Sequence, residues 1–202
     1  MTPDLALVKA LQVYFSSNHA SSLLWDSREQ RYPREMFAHV LCHSQSPYLD
    51  VTEDKSGCST YTESLTHPLS PQGFLIYNPH KSSIYLLKVD KGWFQDEKHS
   101  LRCDCVVFDS QTLCFIELKL NVKTWKRATE RIKEAVEQIK ATLTFFKLNM
   151  MNCYLSQFKQ LEAYVVMKTN VYPKKSASSD IRQVKFLEET GIKLYEGNDK
   201  SF

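Results

Sequence analysis

Two apolar runs, Arg102-Cys103-Asp104-Cys105-Val106-Val107-Phe108 and Leu113-Cys114-Phe115-Ile116-Glu117-Leu118-Lys119, are separated only by Asp109-Ser110-Gln111-Thr112. A link of four residues is too short for the crossover that joins parallel strands, so the pair has to be an antiparallel hairpin. This places a sheet in the middle of the chain. With Phe108 opposite Leu113, cross-strand partners have numbers summing to 221. That register sets Val106 against Phe115, Asp104 against Glu117 and Arg102 against Lys119, all on one face because strand side chains alternate with period two.

The flanking segments extend the pattern. Residues 74–77 and 83–89 are strand-like, rich in β-branched or aromatic residues and bounded by Pro, Gly, Asp or Ser. From 124 to 147 the period becomes 3.6, with Ala128, Ile132, Ala135, Val136, Ile139, Leu143 and Phe146 on one stripe, which predicts a long helix lying on the sheet. Residues 161–167 read as a further strand, 173–180 as a polar loop and 191–195 as a short closing strand. At the start, Thr2 as cap and Pro3 in the first turn predict a helix over 3–16. Asp4 leads this segment where a secretory signal would carry positive charge. A second helix is expected over 33–42, with Met36, Phe37, Val40 and Leu41 as its apolar side. Residues 44–72 hold ten Ser/Thr and three Pro and read as a long loop, either a variable surface excursion or a flap over a cleft.

The order is therefore helices, a three-strand antiparallel meander, a long helix and a further strand: a mixed α/β (α+β) fold. At 202 residues, 43% hydrophobic and 24% charged, the chain suits one domain over 1–202, with a core at about 33–167, the N-terminal helix before it and a C-terminal strand extension over 181–196. It has no apolar run near the roughly 18 to 20 residues that cross a bilayer. No membrane partner is expected, and the chain reads as cytoplasmic. Its six cysteines lack framework spacing, which predicts reduced thiols; Cys103 and Cys105 are expected on one strand face, without the further ligands a zinc site needs. The histidines read as surface residues, His39 and His43 included. Trp93 fits either the core or a base-stacking platform.

Like charges directly opposed on a sheet repel, so Asp104 facing Glu117 within apolar surroundings calls for a compensating group. Mg²⁺ would supply it, since it takes one or two carboxylates with water and phosphate oxygens. Lys119, two residues on, would then hold a water or neutralise a phosphate. The plainer alternative is structural, with Lys119 and Arg102 neutralising the two acids. A net charge of +3 argues against a surface that traps polyanions everywhere. The charge is uneven, however: residues 119–147 carry eight Lys/Arg and three acids, whereas the remainder has 18 and 20. Lys123, Lys126, Arg127 and Arg131 thus fall at the start of the long helix, where a phosphate backbone would lie, or else form a solvated helix face.

Asp104, twelve intervening residues, then Glu117-Leu118-Lys119 on two apolar strands followed by a long helix, resembles the PD-(D/E)xK nuclease superfamily with its restriction-endonuclease-like fold. The Pro that usually precedes the aspartate is Cys103 here. The resemblance implies that Asp104, Glu117 and the Leu118 backbone carbonyl ligate Mg²⁺ or Mn²⁺, that Asp104, Glu117 and Lys119 are catalytic, and that Lys119 orients the attacking water. It further implies a polar helix residue lining the site, for which Gln138 is the candidate although Thr142 replaces the tyrosine of the Gln-x-x-x-Tyr form. An accessory acid from the first helix of the fold would be Glu35. The implied function is metal-dependent hydrolysis of phosphodiester bonds in nucleic acid, DNA foremost. The alternative is a non-catalytic module of the same fold that binds nucleic acid or protein, and the chain leaves room for a homodimer or a protein partner.

Overall fold

Every residue of one strand, Thr112–Leu118, is buried, and the other elements are arranged to cover its two faces. The computed structural model describes residues 2–17, 40–68, 70–90, 101–148, 152–168 and 177–202. In chain order the elements are α1 (Pro3–Ser17), β1 (Leu41–Ser44), β2 (Tyr48–Glu53), β3 (Ser59–Ser64), β4 (Phe74–Tyr77), β5 (Ile84–Lys88), β6 (Cys105–Phe108), β7 (Thr112–Leu118), α2 (Trp125–Phe146), α3 (Asn152–Leu155), β8 (Gln160–Val166), α4 (Ala177–Thr190), β9 (Lys193–Glu196) and β10 (Asp199–Ser201). Six strands form one sheet in the order β1-β5-β6-β7-β8-β9, and four form another in the order β10-β4-β2-β3. Both sheets mix parallel and antiparallel neighbours, which makes the architecture mixed α/β.

The β6–β7 ladder pairs Cys105 with Ile116, Val106 with Phe115, Val107 with Cys114 and Phe108 with Leu113. This is the register expected from the four-residue link. Asp109 closes that link by accepting the backbone N–H groups of Gln111 and Thr112 at 2.8 and 2.7 Å. β5 adds antiparallel to β6. After β7 the chain crosses through α2 and returns as β8, parallel to β7 from Thr112↔Gln160 to Leu118↔Val166, as a βαβ unit requires.

Alternation along β7 assigns its side chains to two cores. Leu113 and Phe115 face the helical side, where Ala128, Ile132, Ala135, Val136, Ile139, Leu143 and Phe146 of α2 are all buried, together with Leu7 and Leu11 of α1 and Phe186 of α4. Cys114, Ile116 and Leu118 face the other way, against Leu49, Val51, Phe74 and Ile76 of the four-stranded sheet. Phe115 meets the edge of Phe146 with ring centroids 5.6 Å apart, and Phe74 packs on Tyr164 at 4.8 Å. Helices thus cover one face of the larger sheet and the smaller sheet covers the other.

Four expectations need correction. Residues 44–72, expected as a loop, contain β2 and β3, paired as a hairpin from Tyr48↔Ser64 to Glu53↔Ser59. β2 offers only Leu49 and Val51 to the core and β3 turns Ser59 inward, so the apolar signal was thin while Thr and Tyr supplied the β-propensity. Gly73 lets β4 enter this sheet, because a Cβ there would lie 2.0 Å from the Val51 carbonyl oxygen. Second, helix gives way to strand earlier than 42: Val40 is helical, but Leu41 and Cys42 belong to β1. The rest of that expected helix, Met36, Phe37 and Glu35 among it, lies outside the described residues, as does Trp93. Third, α4 occupies the described end of the loop expected at 173–180 and most of the strand extension expected over 181–196, while β9 falls on the closing strand expected at 191–195; residues 173–176 lie outside the described residues. In α4, Ile181, Val184 and Leu187 are exposed, and among its described apolar side chains Phe186 alone is deeply buried, so its stripe does not announce a core-facing helix. Gly191, with φ 77°, ends α4 by donating its N–H to the Leu187 carbonyl at 2.8 Å. Fourth, Cys103 and Cys105 do not share a face: Cys103 belongs to the helical core and Cys105 to the core between sheets.

All six cysteines are free thiols. Among the described residues no helix is long and apolar enough to cross a membrane.

Phe115 is fully buried between β7 and α2, whereas Leu65 is 84% exposed. Phe115→Ala should cost about 3 to 5 kcal/mol in urea unfolding, and Leu65→Ala less than about 0.5 kcal/mol. Equal losses would contradict the assignment of the core.

Candidate functional site

The regular ladder stops at Cys105↔Ile116, and beyond it side chains take over the pairing. The N–H groups of Val89 and Asp90 both donate to the Asp104 carbonyl, at 2.9 and 3.2 Å. Val89 and Asp90 thus oppose the single residue Asp104, as in a bulge, and a bend at Asp104 separates the faces of Cys103 and Cys105. Asp104 therefore meets Glu117 through crossed hydrogen bonds and not as a flat ladder pair. The Asp104 N–H donates to Glu117 Oε2 at 3.1 Å, and the Leu118 N–H donates to Asp104 Oδ2 at 2.5 Å. Each acid accepts from the backbone of the other strand, so the two side chains clasp the hairpin where its ladder ends.

Lys119 closes the arrangement. Its Nζ lies 2.6 Å from Glu117 Oε1 and donates to Gln138 Oε1 at 2.7 Å. Gln138 in turn donates from Nε2 to the Arg102 carbonyl at 3.0 Å. One turn further along α2, Thr142 Oγ1 accepts the Cys103 N–H at 2.8 Å and donates to the Gln138 carbonyl at 3.0 Å. The flank of α2 thereby grips the two residues preceding Asp104, while its apolar stripe packs on β7. Asp104, Glu117, Lys119 and Gln138 are brought together, and Leu118 stands between the two catalytic candidates of its strand.

Burial is severe for the acids, with Glu117 1% and Asp104 6% exposed. Burial pushes the Asp104 carboxyl up to about 7; the Leu118 N–H and Lys119 oppose this, and the charges of Glu53 and Asp90 reinforce it. Glu117 is raised well above the usual carboxylate range, first by burial and then by Asp104, with Lys119 opposing. The Lys119 ammonium offsets this burial only in part. Burial thus shifts both carboxyls toward the protonated form.

Glu53, at the end of β2, and Asp90, beyond β5, are the site neighbours that sequence reasoning missed. Glu53 was hidden inside the segment read as a loop. Asp90 follows the last residue of an expected strand, and the pairing of both Val89 and Asp90 with Asp104 brings it in. Thr142, which stands in place of the tyrosine of the Gln-x-x-x-Tyr form, is 1% exposed, and its hydrogen bonds to Cys103 and Gln138 are visible only in the structure.

The basic candidates divide. Lys119, Lys123, Arg127 and Arg131 line one recess between the end of β7 and the start of α2, whereas Lys126 is exposed outside it. Arg131 also pairs with Glu134 at 2.5 Å.

Glu117 gives its two oxygens to Lys119 and the Asp104 N–H, and Asp104 gives Oδ2 to the Leu118 N–H; carboxylate and backbone oxygens are the hard donors that Mg²⁺ or Mn²⁺ accepts, with water completing the shell. Among the described residues no group of three or more His, Cys, Asp and Glu side chains is poised to hold a metal, so the fit rests on the two acids and backbone oxygen. In comparisons with protein-family models, curated proteins and solved structures, the chain matches none.

The raised carboxyl pKa values have a definite linkage. Between the ordinary Asp value of 3.8 and about 7, the folded chain holds a proton that the unfolded chain has released, so stability falls as pH rises through this window. Asp104→Asn removes that term. In urea titrations without divalent cation, the variant should gain stability over wild type between about pH 4 and about pH 8. Parallel pH profiles would show that Asp104 is not the strained acid.

Proposed function

We propose that this chain is a metal-dependent nuclease of PD-(D/E)xK type, hydrolysing phosphodiester bonds in nucleic acid, with DNA as the first substrate to test. The observation that carries the reading is the clasp of Asp104 and Glu117, two buried acids joined through each other's backbone N–H groups, with Lys119 against Glu117 at 2.6 Å. The topology supports it: an antiparallel meander β5-β6-β7, then α2, then β8 parallel to β7, with the acids at the carboxyl end of β7, where α/β sheets commonly place ligands.

Asp104, Glu117 and the Leu118 carbonyl would hold Mg²⁺ or Mn²⁺. Such an ion, when bound, supplies charge neutralisation at a phosphate oxygen and lowers the pKa of water. The chain's own residues do the rest. Lys119 holds and aims the attacking water and offsets the negative charge that grows on the phosphate during attack. Gln138, fixed at its other end by the Arg102 carbonyl, sets the position of the Lys119 ammonium. Lys123, Lys126, Arg127 and Arg131 hold the backbone near the strand end.

A direct test incubates plasmid and single-stranded DNA with the protein in Mg²⁺ or Mn²⁺. Wild type should cleave, and Glu117→Ala and Lys119→Ala should each lose cleavage. Gln138→Ala should fall by about 10- to 100-fold, as expected when a positioning partner is removed. Equal cleavage by wild type, Glu117→Ala and Lys119→Ala would end the reading.

A binding module of the same fold predicts instead that affinity falls steeply with salt and survives Glu117→Ala without any cleavage. Mg²⁺ separates both from a purely structural pair. A true site raises the melting temperature by mass action, and Glu117→Ala abolishes that rise.

A further inference from the structure

Residues 119–124, which connect β7 to α2, fold around a recess of about 550 Å³, a volume within the range of small-molecule pockets. Among the described residues, its lining contains Lys119, Lys123, Arg127 and Arg131 and no carboxylate. α2 begins at this recess, and its first turn has no acidic residue, so the unpaired N–H groups there have no carboxylate of their own first turn to complement them. Thr124 occupies the N-cap position with extended backbone, yet its hydroxyl makes no capping hydrogen bond and it lines the recess. Four cations, an uncommitted hydroxyl and a helix start therefore converge on one small volume, which Lys119 joins to the acids.

We propose that this recess takes a terminal phosphomonoester of a nucleic-acid strand, so that the nuclease described above, on whose reading the substrate assignment rests, works from chain ends. A diester inside a strand carries one negative charge and has chain leaving on both sides. A terminal phosphate carries about −1.5 to −2 at neutral pH and three acceptor oxygens, and chain leaves it on one side only. With Lys119 held by Glu117 and Arg131 by Glu134, Lys123 and Arg127 still bring more positive charge to the recess than one diester carries negative charge. Arg127 offers the planar fork that meets a phosphate through two parallel hydrogen bonds, and Lys123 adds a compact charge. Arg131 is shared with Glu134, so Lys123 and Arg127 carry the recognition.

The test compares one single-stranded oligonucleotide bearing a 5′-phosphate, a 3′-phosphate or hydroxyls at both ends, in anisotropy titrations of the full chain without divalent cation. One phosphorylated form should bind about tenfold or more tightly than the hydroxyl form, and the form that does so identifies the end recognised. In Arg127→Ala, and independently in Lys123→Ala, that ratio should shrink towards unity whatever the absolute affinities. Circular dichroism checks that each variant is folded. Wild-type affinities equal within error for all three forms would overturn the proposal, as would a preference that survives in both variants. Cleavage assays in Mg²⁺ with linear and closed circular single strands separate the two readings. Circles cut as fast as linear strands, without phosphate preference, remove the inference and leave the nuclease standing. A phosphate preference lost in both variants, with no cleavage of any substrate, supports the recess and removes the nuclease.

Discussion

Burial of β7 on both faces is the constraint from which the local chemistry follows. α2 lies on one side and the four-stranded sheet on the other, and all seven residues of the strand are shielded from water. An acid near the end of such a strand cannot turn to solvent. Glu117 must find its partners within the protein, and it does so in the Asp104 N–H and the Lys119 ammonium. Desolvation of a carboxylate is costly enough that these partners leave its pKa raised. The same burial excludes the water that would otherwise screen charge, so any cation entering between the acids would act in a medium where each interaction is strong.

α2 connects the parts that matter. Its apolar stripe secures β7, and the polar flank at Gln138 and Thr142 holds the backbone at Arg102 and Cys103, fixing the strand that delivers Asp104. Its first turn borders the basic recess. A displacement of this helix would therefore move the lysine partner, the aspartate strand and the recess together. In the proposed nuclease, this shared support is what keeps acids, lysine and phosphate in one geometry.

Much of the central fold is legible in the order of residues alone. The four-residue link between two apolar runs leaves only an antiparallel pairing, and the observed register follows from it. The stripe from Ala128 to Phe146 announces α2, and the same count puts Gln138 on its flank. Other features leave no such trace. β2 and β3 turn too few apolar residues inward to stand out from a Ser/Thr-rich loop, and α4 turns three of its large apolar side chains to solvent. Both elements are stabilised by what they pack against, which a local pattern does not record.

The sequence by itself determined the hairpin, its register, the helix after it and the presence of two acids and a lysine at one strand end, because these depend on link length and on periods of two and 3.6 residues. Only the tertiary structure decided how the acids meet. The bend at Asp104 turns an expected face-to-face pair into crossed hydrogen bonds, the pairing of both Val89 and Asp90 with Asp104 brings in Asp90, and the hidden hairpin delivers Glu53. It also decided that Lys123, Arg127 and Arg131 share a recess with Lys119 while Lys126 stands outside. These outcomes depend on contacts between segments far apart in the chain, whose approach is set by the packing of two layers against one strand.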